Sequence, residues 1–197
     1  MKILHSNLIG DSKRDLFIVH GFLGMGDNWK THAKKRAEND FRVHLIDLRN
    51  HGKSFWSNDF SFEIMVDDLY KYAEYYNIKK FSFLGHSMGG NIGMLFAQKF
   101  PELLEKIIIV DIIPKEYKPL HETILTGLKS IDFNKIKSRK HVDVHLSKYI
   151  SDERVRQFLL KNLYWVDKES LGLKFNIDVL FDFKERLSIK LKKGITF

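Results

Sequence analysis

The pentapeptide Gly85-His86-Ser87-Met88-Gly89 directly follows the apolar residues Phe81–Leu84. The residues after it, Asn91–Phe100, carry apolar side chains at helical spacing, and Pro101 cannot continue a helix. This order predicts a strand, a sharp turn and a helix, with Ser87 at the turn. Glycine on both sides of the serine provides the room that such a strained turn needs. The feature therefore constrains the chain to arrange a strand and its following helix around one exposed hydroxyl group.

Four short apolar segments recur about 25 to 40 residues apart, with amphipathic or turn-rich sequence between them. Apolar runs that alternate with helical sequence are typical of a parallel sheet built from βαβ units. Trp29–Glu38 and Ile64–Tyr76 are predicted to be two of the intervening helices. The predicted fold class is α/β, a mostly parallel sheet with helices on both faces and ligands at the carboxyl ends of its strands. The four predicted strands are Leu16–Val19, Val43–Ile46, Phe81–Leu84 and Ile107–Val110.

The pattern of apolar residues divides the chain into three parts. Residues 1–115 form the predicted α/β core, residues 116–172 a helical cap, and residues 173–197 the return to the core. Residues 175–183 alternate apolar and polar side chains with a period of two, which by itself predicts a strand. In the cap, strand-like runs disappear, and a helical stripe is formed by Leu120, Ile124, Leu128 and Ile131.

The composition bears on several classes of protein. The 197 residues carry a net charge of +8, but most lysines are interleaved with acids and no recognised nucleic-acid-binding motif is present. We interpret the cluster Lys34-Lys35-Arg36 as the solvated face of a helix, and we expect no nucleic-acid partner. The sequence shows no cysteine, no leader-like segment and no apolar run near the roughly 18 residues of a membrane span. We expect a cytoplasmic protein with no membrane span.

Ser87 is the candidate nucleophile, because a hydroxyl group raised at such a turn is accessible to a base that removes its proton. The segment His20–Gly24 follows the first predicted strand, where a hydrolytic site needs a backbone N–H group facing a developing oxyanion. Phe22 is predicted to supply that N–H group, and Met88, the residue after the serine, is predicted to supply a second one. The alternative for residues 20–24 is an ordinary glycine turn.

Two aspartates end predicted strands. Asp111 follows the fourth strand and is expected at the same sheet edge as Ser87, where it would orient a catalytic histidine; a carboxylate that only caps a loop is the alternative. Asp47 follows the second strand, and the nearby Arg49 predicts a structural ion pair with it. His86, inside the pentapeptide, is expected to point away from the serine and to be structural.

The sequence departs at specific positions from the motifs that bind nucleotides and metals. Gly52-Lys53-Ser54 resembles the end of a phosphate-binding loop, but position 47 holds aspartate where that motif requires glycine. The glycines at 21, 24 and 26 do not have the spacing of a dinucleotide fingerprint. His141 and His145 lie four residues apart on a predicted helix, and without a third ligand nearby we interpret them as a solvated pair. No cofactor and no metal are predicted.

Four segments together resemble the α/β-hydrolase superfamily, and within it the small bacterial acyl esterases and thioesterases, over about residues 15 to 183. The resemblance implies an α/β-hydrolase fold with a helical cap insertion, and a helix at 175–183. It also implies Ser87 as nucleophile, Phe22 and Met88 as oxyanion donors, and Asp111 as the acid. The implied substrate is a small acyl ester or thioester, cleaved through an acyl-enzyme. The four segments are Val19–Gly24, Asp47–Ser54, Gly85–Gly90 and Val110–Pro114.

The histidine that the family carries near its C terminus has no counterpart in this sequence. The last histidine is His145, inside the predicted cap, whereas the resemblance implies a base after the final strand. The family's strands and helices beyond the cap are also missing, so we expect a truncated gene product. Completion by a second polypeptide, a scaffold kept for binding, and a base from the cap at His121, His141 or His145 are the alternatives. The sequence thus predicts an acyl-ester hydrolase and leaves a catalytically impaired remnant open.

Overall fold

The computed structural model describes residues 2–113 and 122–187, together with Ile189 and Leu191. These residues group into two compact units. The first unit contains residues 2–113 with residues 189 and 191, and the second contains residues 122–187. The predicted boundary between core and cap lies outside the described residues, as do Leu120 and His121.

The first unit is built on a five-stranded sheet with the order β1-β3-β2-β4-β5. Strand β1 runs antiparallel to β3, and all other neighbouring pairs are parallel, which confirms the α/β prediction. All four predicted strands are present. The additional strand, β1, escaped prediction because its four residues are few and mixed in polarity. The strands are β1 Ser6–Ile9, β2 Asp15–Val19, β3 Arg42–Ile46, β4 Phe81–His86 and β5 Leu104–Val110.

Three helices in the first unit connect these strands, and their ends follow local sequence signals. Helix α2 begins after Ser61, whose Oγ accepts a hydrogen bond from Ile64 N–H at 3.3 Å. Helix α3 ends before Pro101, which starts a short 3-10 turn instead. Helix α1 buries Ala33 and exposes Lys34–Arg36, in agreement with a solvated face. The helices are α1 Lys30–Ala37, α2 Phe62–Tyr75 and α3 Met88–Lys99.

The two faces of the sheet bury different side chains. On one face, Phe17 of β2 stacks on Phe81 of β4 with ring centroids 3.9 Å apart, and Tyr72 of α2 meets Phe17 edge-on at 5.3 Å. On the opposite face, Ile18 packs in a cluster with Ala33 of α1. Helices therefore cover both faces, because neighbouring residues of a strand point to opposite sides.

A buried polar network lies at the amino-terminal ends of β2 and β3. Asp15 accepts hydrogen bonds from Arg42 Nε at 2.7 Å and from His44 Nε2 at 2.8 Å. Tyr72 OH then donates to His44 Nδ1 at 2.8 Å and lies 2.5 Å from Ser6 Oγ. Burial lowers the pKa of His44 and raises that of Tyr72, so both are neutral at pH 7.

The second unit, between residues 122 and 187, contains four helices and one β-hairpin. Strands β6 and β7 pair antiparallel, so the prediction that residues 116–172 lack strands is wrong. The turn between them is held by Asp167, whose carboxylate accepts the N–H groups of Glu169 and Ser170. The elements are α4 Glu122–Lys129, α5 Arg139–Leu146, α6 Glu153–Leu160, β6 Leu163–Trp165, β7 Leu171–Leu173 and α7 Ile177–Phe183.

Helix α7 corrects the period-two prediction for residues 175–183. It buries Leu180 and Phe183 and packs on α4, where Lys129 Nζ lies 3.1 Å from Asp178 Oδ1. Residues three apart lie on one face of a helix, so the apolar pattern serves helical packing here. The helix implied by the family resemblance is confirmed.

Candidate active site

The turn after β4 holds Ser87 in a strained backbone conformation. Ser87 has φ 50° and ψ −116°, which is unfavourable for a residue with a side chain. The turn is fixed on both sides, because Ser87 N–H donates to Val110 O at 2.9 Å and Gly90 N–H donates to Ser87 O at 2.8 Å. Helix α3 begins at the next residue, Met88. The predicted order of strand, sharp turn and helix is confirmed.

The glycines around Ser87 are required because backbone packs directly on backbone. A Cβ atom at Gly85 would lie 2.8 Å from Gly90 N and would overlap Gly89 O. A Cβ atom at Gly89 would lie 2.7 Å from His20 O and would overlap Val19 O. Real Cβ atoms do not approach other atoms this closely. The glycine on each side of the serine is therefore fixed by the contact of β4, α3 and the loop after β2.

The loop that follows β2 runs beside Ser87. A Cβ atom at Gly21 would lie 2.8 Å from His86 Nδ1 and 3.2 Å from Ser87 Cβ. The loop turns sharply there, since Gly24 N–H donates to Gly21 O at 3.0 Å and Leu23 has φ 60°. Phe22 therefore lies in a tight turn directly after Gly21, the residue that approaches Ser87. Met88 is the first residue of α3, and the first N–H groups of a helix have no partner within it.

Asp111 emerges at the same sheet edge as Ser87, as the sequence predicts. It follows β5, whose last residue, Val110, pairs with His86. The Asp111 side chain is 84% exposed, its φ is 57°, and its Oδ2 lies 3.8 Å from His86 Nε2. This distance is longer than a hydrogen bond. The carboxylate is thus accessible and held close to the serine turn.

His86 is half-buried beside the turn. Its ring centroid lies 5.7 Å from that of Trp29, and its Nε2 faces Asp111. Within residues 2–113, no histidine ring nitrogen forms a hydrogen bond with the Ser87 hydroxyl group. Residues 2–113 thus hold a serine and a carboxylate in place, without a histidine that is hydrogen-bonded to the serine.

The predicted ion pair between Asp47 and Arg49 is wrong. Arg49 instead binds Asp68 of α2 through two hydrogen bonds, at 2.5 Å and 2.7 Å, and both side chains are buried. Asp47 is also buried, and it accepts the backbone N–H groups of Gly26 at 2.7 Å and Lys53 at 2.9 Å. The true partner of Arg49 lies 19 residues away on a helix, so spacing along the chain gave no signal for it.

Two buried histidines near the loop after β2 were not singled out by the sequence. His20 donates from Nδ1 to Gly21 O at 2.8 Å, and its Nε2 accepts from Leu48 N–H at 3.1 Å. Burial lowers the pKa of His20, and burial, with repulsion from His20 when that ring is protonated, lowers the pKa of His51 to about 3. Both rings are neutral at pH 7. Each histidine is followed by glycine and comes after a predicted strand, and this pattern was the signal in the sequence that could have pointed to them.

The part of the chain that the structure describes has no group of three histidine, cysteine, aspartate or glutamate side chains that could hold a metal ion. His145, a member of the predicted solvated pair, has its Nε2 2.9 Å from Ser130 Oγ. In the same residues, no helix is long and apolar enough to cross a bilayer.

A mostly parallel sheet, a strained serine between strand and helix, and a glycine-rich loop beside that serine together define the hydrolase class of α/β proteins. Comparison with known sequences agrees with this class. The chain belongs to the alpha/beta hydrolase fold family, whose sequence profile matches residues 16–136.

The chain is similar in sequence to proteins that are named as esterases. It is 34% identical over 169 residues to a putative esterase/lipase of Haemophilus influenzae, covering 85% of this chain and 58% of that protein. It is 30% identical over 168 residues to Esterase YbfF of Escherichia coli, covering 85% of this chain and 64% of the relative. The chain thus spans about three fifths of the length of these curated relatives.

A solved structure described as a marine microorganism esterase matches with a TM-score of 0.93 and 35% identity. The match covers 100% of this chain and 77% of that esterase. Similarity at this level confirms the α/β-hydrolase fold and the resemblance of the chain to esterases.

Proposed function

We propose that this protein is a carboxylic ester or thioester hydrolase that forms an acyl-enzyme on Ser87. The observation that carries the proposal is the backbone of Ser87, held at φ 50° between β4 and α3. Strain of this kind costs about 1–3 kcal/mol and persists where the surrounding structure over-determines it, which is common at active sites. The esterase and lipase names of the relatives support an acyl ester as the substrate class.

In the proposed reaction, Ser87 Oγ attacks the substrate carbonyl carbon while its proton passes to a base. The negative charge that develops on the carbonyl oxygen is received by the N–H groups of Phe22 and Met88. The tetrahedral intermediate then expels the alcohol or thiol, which takes the proton, and the acyl group stays on Ser87. Water attacks this ester in the second half-reaction and releases the carboxylic acid and free Ser87.

Asp111 has the place of the acid that orients the base. Its exposed carboxylate lies beside the serine turn, where it can accept the N–H of an imidazole whose other nitrogen faces Ser87. Residues 2–113 hold no such imidazole at hydrogen-bond distance from Ser87. Turnover therefore depends on a histidine from outside this range.

The second candidate function is binding of acyl ligands on a hydrolase scaffold without turnover. The same absence of a histidine partner for Ser87 within residues 2–113 favours it. Removal of the base in a serine enzyme costs about a millionfold in turnover, while an oxyanion site alone retains about a thousandfold over water. The scaffold and the activity are thus separable.

A fluorophosphonate distinguishes the two functions, because it phosphonylates an activated serine and needs no assumption about the acyl group. We expect the intact mass of the folded 197-residue protein to increase by one adduct, and Ser87→Ala to abolish the adduct. Ser6→Ala, on the edge strand β1 and three strands away from β4, is the matched control and should label like the parent. Absence of the adduct from the folded parent would exclude the hydrolase and leave the binding scaffold.

A further inference from the structure

The loop that carries Phe22 is tied at both ends to the segment after β3. At its start, His20 Nε2 accepts the N–H of Leu48 at 3.1 Å. At its end, the N–H of Gly26 donates to Asp47 Oδ1 at 2.7 Å. The two bonded residues of the loop, His20 and Gly26, are six positions apart, and Phe22 lies between them.

The segment after β3 is itself fixed around Asp47. The second carboxylate oxygen accepts Lys53 N–H at 2.9 Å, and the Asp47 carbonyl oxygen accepts Ser54 Oγ–H at 2.6 Å. Gly52 has φ 58°, and a Cβ atom there would overlap the Asp47 carboxylate. Because this carboxylate is buried, water does not replace it as acceptor, and each N–H group that lost it would be left unsatisfied.

The position of Phe22 matters because an oxyanion donor works only over a narrow range of distance. The N–H group must lie about 2.7–3.1 Å from the oxygen that becomes charged. A misplacement of about 1 Å from a change distant from the chemistry can cost about a hundredfold in rate. The hydrogen bond between Gly26 N–H and Asp47 therefore controls the position of the Phe22 N–H group, on which the proposed reaction depends.

We propose that Asp47 is a positioning residue for the oxyanion donor at Phe22, acting through its hydrogen bond to Gly26 N–H. This inference rests on the proposed function of Ser87. It assigns a purpose to the segment Asp47–Ser54, which the sequence marked as distinctive and which holds neither the nucleophile nor its acid. Asp47 does not touch the substrate in this scheme; it fixes the loop that does.

The test is the reaction of Ser87 with a fluorophosphonate and with the corresponding fluorophosphonothioate, in which sulfur replaces the phosphoryl oxygen. Sulfur is a weaker hydrogen-bond acceptor, so the ratio of the two rate constants reports the oxyanion donors specifically. We expect Asp47→Asn to lower the rate with the oxygen reagent about tenfold to a hundredfold, below the 10²–10³ for loss of a donor. The rate with the sulfur reagent should fall less, so the ratio should fall.

Asp15→Asn is the matched control, because Asp15 is a buried carboxylate that accepts hydrogen bonds from two side chains at the opposite edge of the same sheet. It should leave the oxygen-to-sulfur ratio of the parent unchanged. Amide hydrogen exchange gives a second readout: Gly26 N–H should exchange at least about tenfold faster in Asp47→Asn and at the parent rate in Asp15→Asn. His20→Phe, which removes the other tie and keeps a ring, should also lower the ratio.

The outcomes separate the two proposals. A reactive parent with an unchanged ratio in Asp47→Asn would overturn the positioning role and leave the hydrolase standing. A parent that does not react with the oxygen reagent would overturn the proposed function, and with it the catalytic purpose of the tie. In that case, faster Gly26 exchange in Asp47→Asn would assign Asp47 a purely structural role. Should Asp47→Asn not fold, Asp47→Glu, which displaces the carboxylate, takes its place, and faster Gly26 exchange with an unchanged ratio in that variant would overturn the inference.

Discussion

The two edges of the parallel sheet carry similar side chains in opposite states. At the amino-terminal end of β2, Asp15 begins a continuous chain of hydrogen bonds that runs through His44 and Tyr72 to Ser6 of β1, and the first three residues are buried. The three hydrogen-bond distances in this chain lie between 2.5 Å and 2.8 Å. The network is a satisfied polar core, which rigidifies the fold.

At the carboxyl-terminal edge, the serine, histidine and aspartate are neither joined nor buried. Ser87 is half-buried, Asp111 is exposed, and His86 Nε2 stays 3.8 Å from the Asp111 carboxylate. Two of the three have positive φ, whereas none of the four residues of the opposite network does. A serine, a histidine and an aspartate in proximity do not define a site by themselves. Strained backbone and accessible polar groups distinguish the carboxyl-terminal edge, where we propose the reaction, from the network around Asp15.

The largest expected difference between the two edges is the loss of folding stability when the aspartate of each edge is replaced by asparagine. Asp15→Asn should lower the free energy of unfolding by about 2 kcal/mol, because the donors of Arg42 and of the buried His44 then face an amide group instead of a carboxylate. Asp111→Asn should change it by less than about 0.5 kcal/mol, since that side chain is exposed. Urea unfolding of both variants measures this difference, and equal losses would contradict the assignment of the two edges.

A second comparison uses acid, because the buried histidines of the two edges differ in their partners. Their folded pKa values lie below the ordinary value of 6.5, so the unfolded chain takes up protons first as pH falls. The stability from neutral burial is therefore complete above pH 6.5 and is lost towards the folded pKa, about 3 for His51. Each such histidine contributes a slope of about 1.4 kcal/mol per pH unit in that window.

His51 and His44 should differ in this window. Asp15 beside His44 favours the protonated ring and limits the fall of its pKa, whereas His51 has no carboxylate among the causes of its shift. We expect His51→Phe to flatten the dependence of unfolding free energy on pH between 4 and 6.5 more than His44→Phe does. Urea titrations at several pH values provide the slopes. A steeper curve for His51→Phe than for the parent would show that His51 is charged in the fold.

The smallest expected effect measures the backbone strain at Ser87. Ser87→Gly should be more stable than Ser87→Ala by about 1 kcal/mol, because glycine adopts the local φ without a Cβ clash. The same pair of substitutions at Ser6, which has an ordinary strand backbone, should show the opposite order. Thermal or urea unfolding of the four variants measures both differences. Greater stability of Ser87→Ala would indicate an unstrained turn.

The sequence predicted the elements whose signals are local. The buried strands appeared as apolar runs, and the serine turn appeared through the spacing of its glycines. Gly85 meets neighbours within five residues, whereas the contact of Gly89 with the end of β2 is distant along the chain. It missed β1, which is short, and the β6–β7 hairpin, whose strands have three residues each. The period-two pattern at α7 was overridden by packing on α4. Arg49 was paired wrongly because its carboxylate comes from α2, and the roles of Asp47 and His20 depend on backbone groups that have no sequence signature.

The backbone contacts of Gly85 and Gly89 have a consequence for inferring activity from sequence. These glycines are demanded by the way a strand, a helix and a loop meet, and that demand is the same whether or not the serine between them reacts. During evolution, a descendant that lost catalysis and kept its fold would retain the glycine signature under selection for folding alone. The glycine pattern therefore indicates the fold. Evidence of selection for catalysis has to come from Ser87, from Asp111 and from the histidine that would join them.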